Sequence, residues 1–330
     1  MKALLCKEHG PPETLVVEDV DPPPLSKGTV RVGVRAAGVN FPDTLIIEGK
    51  YQFQPPLPFS PGGEVAGVVL EVGEGAERFA VGDRVMGLTG WNGFAEQVIV
   101  PHTKALPIPA GMEFDTAACF GMTYGTVAHA LIQRGRLQPG ETLLVHGASG
   151  GVGTAAIEVG LAMGAKVIAT SGSAEKLAVL ADAYDLQDTI DTSAEPSLKD
   201  AVKKRTGGRG VDVVFDPVGG ELFEQSLRCV AWDGRILVVG FASGTIPSAK
   251  ANLMLLKGSS VVGVFWGAYA TKDVAGNHAN FEQLFAWYRE GKIAPRISNR
   301  YPLADGAKAI RALIDREVIG KAVVIVSDEA

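Results

Sequence analysis

Gly150 and Gly153 stand in the run "VHGASGGVGTAAIEVG" (Val145–Gly160), between an apolar stretch and a helix-like string of small residues. Each glycine has its own reason. A bare residue at 150 lets an anionic ligand reach the main chain, and a bare residue at 153 lets a helix pack close on its strand. A strand that feeds a helix through such a turn points unpaired amide hydrogens, with the helix dipole behind them, at a phosphate. The strand–turn–helix context makes Ser149, Gly150, Gly151, Val152 and Gly153 a candidate pyrophosphate cradle, and the ligand a dinucleotide. The first glycine position of the fingerprint is occupied by Ala148.

The following strand, in "KVIATSGSAEK", ends at Ser171, where an NAD-binding chain would place a carboxylate on the ribose 2′-hydroxyl. Ser171, Gly172 and Ser173, with Lys176 one turn on, offer instead hydroxyls and a cation that suit a 2′-phosphate. NADPH is the cofactor these residues predict.

The elements that must hold such a site come in two textures. Residues 1 to about 115 are rich in Pro and Gly, with short alternating runs such as Thr29–Val39, Glu64–Gly73 and Glu96–Pro101, which read as strands of a β-barrel or sandwich. From about 140, strand candidates Thr142–His146, Lys166–Thr170, Thr189–Asp191, Val211–Asp216, Gly234–Val239 and Ser259–Val264 alternate with helix candidates such as Ala174–Ala183, Ser197–Arg205 and Glu221–Cys229. That alternation predicts an α/β fold with a doubly wound parallel sheet. From Phe281 onward the pattern gives two helices and a closing strand, "KAVVIVS", expected to return to the first domain. The expected division is 1–120 for the first part of a catalytic domain, 121–268 for the nucleotide-binding domain and 269–330 for the return.

Bulk properties exclude several classes. A chain of 330 residues with 46% hydrophobic and 21% charged residues is of ordinary globular composition. A formal charge of −6 and no basic runs argue against nucleic acid, which selects for clustered Lys and Arg. No apolar run approaches membrane-spanning length, so no membrane partner is expected. Cys6, Cys119 and Cys229 lie far apart, the pattern of free thiols in a reducing cytoplasm. The apolar strand "SSVVGVFW" (Ser259–Trp266) reads as a sheet edge, which invites pairing with another copy.

Eight blocks spread over nearly the whole chain resemble the zinc-free quinone oxidoreductases of the medium-chain dehydrogenase/reductase superfamily: "AAGVNFPDTLIIEGKY", "PGGEVAGVVLEVGEGA", "VGDRVMG", "WNGFAEQV", "HGASGGVGTAAI", "DPVGG", "GRILVVGFASG" and "LLKGSSVVGVFWG". The resemblance implies a GroES-like barrel domain built from both chain ends, a Rossmann domain between them, an active site in the cleft, and a homodimer formed through the edge strand near Ser259–Trp266. It also places Asn40 and Thr123 by the nicotinamide. Thr192, Gly240, Phe241, Ala242, Ser243, Val264, Phe265, Trp266 and Arg316 are carried over as cofactor contacts, although at Thr192 relatives often have a tyrosine on the 2′-phosphate. Where zinc alcohol dehydrogenases place a cysteine ligand this chain has Asn40, and where they have Gly-His-Glu it has Gly63 and Glu64. No metal is expected, because zinc needs three or four converging Cys, His or carboxylate ligands.

Hydride delivery to a carbonyl, or to a carbon conjugated with one, builds negative charge on oxygen, which hydrogen-bond donors must meet when no metal does. Quinones and enones suit that weaker electrophile because conjugation spreads the charge. Tyr51 in "EGKYQFQP" matches a G-x-Y stretch whose tyrosine assists double-bond reduction in related enoyl-thioester reductases, so Tyr51 and Asn40 are the candidate catalytic residues. The expected activity is NADPH-dependent reduction of quinones or other α,β-unsaturated carbonyls. An enoyl-thioester (acryloyl-CoA-like) reductase is the alternative. A crystallin-like or RNA-binding protein that keeps the cofactor site is the alternative of another class.

Overall fold

The computed structural model describes residues 1–327. The chain forms two compact units, one of Met1–Met122 with the segment from Pro295 onward, the other of Thr123–Ala294.

The first unit is built mainly on antiparallel strands, with Ile297–Pro302 joining Lys321–Ile325 in parallel. In Thr29–Gly38 the first residues alternate, Val30, Val32 and Val34 being buried while their neighbours are more exposed, and from Ala36 to Gly38 the strand is buried throughout. Period-two burial of this kind lets one face of a strand line a core while the other meets water. Its neighbours run in the order Ile297–Pro302, Lys321–Ile325, Thr29–Gly38, Glu64–Val72, Arg84–Leu88 and Ala105–Pro107, and Gln97–Pro101 also pairs with Thr29–Gly38. This is the GroES-like architecture. The strand near the chain end joins antiparallel to the early one, with Val323 opposite Gly38 and Ile325 opposite Ala36. Strand Ile297–Pro302 was not foreseen from the sequence, because its polar edge sequence ISNRYP carries no continuous apolar signal.

The second unit is a six-stranded parallel sheet. Numbered by chain order, its strands lie as 3-2-1-4-5-6, from Asp188–Asp191 through Lys166–Ser171, Thr142–Val145, Val211–Asp216 and Val230–Val238 to Ser260–Gly263. This is the doubly wound Rossmann order, in which ligands bind at the carboxyl ends of the strands where the order reverses. Thr142–Val145 and Val211–Asp216 are buried throughout, as strands covered on both faces must be.

Two expectations need correction. The fifth strand begins at Val230 and not at Gly234. It carries a bulge, with Asp233 at φ 59° and Trp232 76% exposed, so "WDGR" reads as a turn although the strand continues through it. The return to the barrel comes after Ala294, not at 269. Helix Val274–Arg289 stays with the parallel sheet: Phe281 packs on Trp266 with ring centroids 6.4 Å apart, and the Asn280 and Gln133 amides exchange bonds of 2.8 and 3.1 Å. No helix of the described residues is long and apolar enough to cross a membrane.

Candidate functional site

The glycine turn sits at the carboxyl end of the first parallel strand. Helix Gly151–Ala162 begins there, and its cap residue, Gly150, has extended backbone (φ −83°, ψ 170°) and offers no side chain to the free amides of the first turn. A β-carbon built on Gly150 would meet only the Gly147 carbonyl oxygen, at 3.4 Å. The protein's own packing therefore does not require glycine there. Gly153 differs: a β-carbon there would lie 2.8 Å from the Ala148 backbone. Ala148, the departure from the fingerprint, is fully buried, and its amide donates to the Thr170 carbonyl across 2.9 Å, so the turn closes without a glycine there.

Beneath the turn lies a polar cluster that sequence reading passed over. His146 is fully buried, with Nδ1 2.9 Å from Thr170 Oγ1 and Nε2 2.7 Å from Ser226 Oγ. Ser226 spends its own proton on the Leu222 carbonyl at 2.8 Å. It must then accept from His146 Nε2–H, which leaves Nδ1 to accept from Thr170 and the ring neutral. Burial pushes the imidazole pKa down, against an upward pull from the Asp216 carboxylate, in keeping with that state. Asp216 Oδ1 in turn accepts the Val218 and Gly219 amides, both at 2.9 Å, and shapes the "DPVGG" loop.

Around the turn the structure gathers several predicted residues. Ser149 Oγ and Ser171 Oγ are 3.5 Å apart, and the Thr192 amide donates to the Ser171 carbonyl at 2.9 Å. Ser173 caps helix Ala174–Tyr184, accepting the Lys176 amide at 3.3 Å while its hydroxyl donates to Glu175 Oε2 at 2.7 Å. Glu175 is an acidic neighbour that the sequence reading did not weigh. Its carboxyl pKa is lowered chiefly by that Ser173 bond, so it is ionised at neutral pH. The loop Gly240–Ser243 folds onto the "DPVGG" loop: the Ala242 and Ser243 amides donate to the Pro217 and Val218 carbonyls at 3.0 Å, and Phe241 stays exposed. Past the last strand, the Val264 amide donates to the Val238 carbonyl, and Phe265 is exposed. Trp266 is buried and committed to packing: its indole donates to Asn277 Oδ1 at 2.9 Å, and its ring lies so close to Gly125 that a β-carbon there would come within 2.6 Å of Cε2. Thr123 is buried on the same helix as Gly125, Gly121–Ala128.

Asn40, Tyr51 and Arg316 belong to the barrel unit. Arg316 is exposed just past helix Gly306–Ile314, in left-handed backbone at φ 59°. Asn40 is the N-cap of helix Phe41–Ile46 and is buried. Its Nδ2 donates to the Gly38 carbonyl at 3.2 Å and to Glu64 Oε1 at 2.9 Å, and its Oδ1 accepts from Lys321 Nζ at 2.6 Å. Both amide protons are therefore already used. Lys321 and Glu64, 4% and 2% exposed, form a buried ion pair at 2.9 Å. The Asp43 carboxyl accepts the Asn40 and Gly62 amides at 2.8 and 2.9 Å; burial pushes its pKa up to about 6. Tyr51 is half-buried against the barrel core, edge-on to Phe53 with ring centroids 6.1 Å apart, and among the described residues its hydroxyl has no protein partner. Neither Glu64 nor Lys321 was singled out as a site residue from the sequence.

Among the described residues no three His, Cys, Asp or Glu side chains are grouped to hold a metal ion. At the positions compared with zinc ligands, the Lys321 ammonium is bonded to both Asn40 and Glu64.

Comparison with known proteins agrees with this architecture. Residues 26–110 match the family described as "Alcohol dehydrogenase GroES-like domain", and residues 151–287 match "Zinc-binding dehydrogenase". The chain is thus an oxidoreductase of the medium-chain dehydrogenase/reductase class. It is 42% identical to "Quinone oxidoreductase-like protein 2" of Bos taurus over 321 residues, which covers 97% of this chain and 91% of that protein. It is 34% identical to the "Quinone oxidoreductase" of Rattus norvegicus over 318 residues, or 95% of this chain and 94% of the relative. The Escherichia coli quinone oxidoreductase structure, solved in complex with NADPH, superposes with a TM-score of 0.90 at 30% identity, covering 99% of this chain and 100% of that one. The chain belongs to the quinone oxidoreductase family.

Proposed function

We propose that the protein is an NADPH-dependent reductase of quinones or other α,β-unsaturated carbonyl compounds that works without a metal. The observation that carries this reading is Gly150, where the chain's own packing leaves the main chain at the head of a helix open to an anionic ligand. The residues fit NADPH: the amides of Gly151, Val152 and Gly153 would meet the pyrophosphate, and Ser171, with Thr192 and Lys176, would face the 2′-phosphate. The absence of a carboxylate at position 171 removes the repulsion an acidic residue would exert there. When bound, NADPH supplies the hydride.

The chain's own task is to receive the acceptor and meet the charge that grows on its oxygen. Tyr51 is the donor we assign to that oxygen, because its hydroxyl has no competing protein partner among the described residues. Asn40 cannot add a donor without breaking a bond it already makes, so its part is to hold the loop and not to touch the oxygen. Zinc does not fit: a metal would have to displace the Lys321 ammonium from Asn40 and Glu64, and the nearby Cys119 is a buried thiol whose pKa is pushed up to about 12 by burial. We further propose a homodimer through the open edge Ser260–Gly263 and a reducing, cytoplasmic setting, which suits three free buried cysteines.

The test is NADPH oxidation by purified protein with a small quinone, an enone and an enoyl thioester, before and after dialysis against a chelator. Expected are turnover with at least the quinone or the enone, no loss on chelation, and a reduced kcat in Tyr51→Phe. Zinc lost together with activity, or no turnover with any acceptor, refutes the proposal.

A further inference from the structure

Lys321 is the only buried lysine among the described residues, and its environment is that of a cation held in an oxygen cage. Its ammonium donates to the Val39 carbonyl at 2.9 Å, to Asn40 Oδ1 at 2.6 Å and to Glu64 Oε1 at 2.9 Å. Three protons meet three acceptors, so the group is saturated. Both oxygens of Glu64 are engaged as well, with Oε1 also taking Asn40 Nδ2 and Oε2 taking the Met122 amide at 2.9 Å. A buried pair of this kind adds little stability over apolar residues of the same volume, because desolvating two charges offsets their attraction. What it supplies is fixed geometry.

The geometry leads in one direction. From Lys321 and Glu64 the bonds pass to Asn40, whose own amide donates to Asp43 Oδ2 at 2.8 Å, while Asp43 Oδ1 takes the Gly62 amide. The N-terminus of helix Phe41–Ile46 is therefore locked to the strands that begin at Glu64 and Lys321. The helix closes with the Gly49 amide on the Ile46 carbonyl at 3.1 Å and the Lys50 amide on the Leu45 carbonyl at 2.9 Å. Gln54 Nε2 holds the Gly49 carbonyl at 2.6 Å, and Tyr51 stands in the loop so fixed.

We propose that Lys321 is a positioning residue: its buried ammonium fixes Asn40, and through helix Phe41–Ile46 the Tyr51 hydroxyl. This rests on Tyr51 being the donor to the acceptor's oxygen. The experiment is a double-mutant cycle of Lys321→Met and Tyr51→Phe, reading kcat and KM for a quinone, NADPH affinity by fluorescence, and thermal midpoint. Lys321→Met should lower kcat about tenfold when Tyr51 is present and less than about twofold in the Tyr51→Phe background, a misplacement effect that disappears with the group misplaced. NADPH affinity should stay within about twofold in every variant, because the glycine cradle is in the other unit. Equal losses in both backgrounds, no loss with Tyr51 present, or a parallel loss of NADPH affinity overturns the proposal. Wild-type kcat in Tyr51→Phe alone sinks the Tyr51 assignment itself, a result distinct from an additive cycle. If Lys321→Met does not fold, Glu64→Gln takes its place in the cycle, since either amide orientation sets an N–H against a donor while volume is kept, and the same outcomes decide.

Discussion

Two glycines three residues apart should respond to the same substitution in opposite ways. Gly150→Ala places its methyl where only the Gly147 carbonyl stands, at 3.4 Å, in backbone that alanine adopts freely. Alanine is a poorer N-cap than glycine by up to ~1 kcal/mol, and a stiffer unfolded chain returns ~0.4–1 kcal/mol, so apo stability should move by less than ~1 kcal/mol. The same methyl stands in the path of a pyrophosphate approaching the amides of Gly151–Gly153. Losing one charge-assisted hydrogen bond there costs about 2 kcal/mol, roughly thirtyfold in Kd. Gly153→Ala pushes a methyl to 2.8 Å from the Ala148 Cα and carbonyl carbon, backbone that cannot swing aside. Overpacking of that kind costs ~1–3 kcal/mol of apo stability. The assay is thermal unfolding with and without NADPH, together with fluorescence titration. Saturating cofactor at about a hundred times Kd stabilises the wild type by ~2.7 kcal/mol, most of which Gly150→Ala should forfeit while its apo midpoint stays put. Wild-type NADPH affinity in Gly150→Ala would refute the cradle, and an unchanged apo midpoint in Gly153→Ala would refute the packing argument.

Three further outcomes follow from named groups. Asp43 is protonated more readily in the folded state, with a pKa of about 6 against 3.8, because burial outweighs the Asn40 and Gly62 amides and the Lys321 charge that favour its ionised form, with Glu64 opposing it as well. Between about pH 4 and 6 the folded protein therefore holds an extra proton, and this group makes stability fall by ~3 kcal/mol as pH rises through that window, then level off. In Asp43→Asn that slope should vanish from the midpoint-against-pH curve; a slope that persists would show that Asp43 is not its source. Glu175 ties up the Ser173 hydroxyl beside the expected 2′-phosphate position, so Glu175→Gln should raise the preference for NADPH over NADH in kcat/KM, and an unchanged ratio would place that carboxylate outside the ligand's field. Val262→Lys charges the open edge of the parallel sheet and should shift the sedimentation mass from dimer to monomer with the fold intact; a dimer that survives must use another surface.

The parallel sheet was the most legible part of the chain. Its inner strands are short, apolar and largely buried on both faces, and they alternate with helices, so the pattern in Val211–Asp216 or Lys166–Ser171 has one reading. Legibility failed where a local signal was ambiguous. Asp233 adopts left-handed backbone within a strand, and a sequence that marks a bulge marks a turn equally well. The sequence offers Ser173 as a hydroxyl for a 2′-phosphate, but the neighbouring carboxylate that accepts its proton had to be seen in place.

The barrel site was hidden for a different reason. Asn40, Glu64 and Lys321 are held together by hydrogen bonds between residues 24, 257 and 281 positions apart, and no spacing rule reaches across such intervals. A lysine opening the apolar strand "KAVVI" reads as a charged strand end in water. It becomes a buried cation only because that strand pairs antiparallel with Thr29–Gly38, Val323 opposite Gly38, and so carries position 321 to the start of the Asn40 helix. The chemistry of that helix therefore depends on barrel closure by a strand from the far end of the chain. A shift of one residue in that pairing would turn Lys321 to the other face and leave Glu64 and Asn40 buried without a cation, so register and site geometry are specified together.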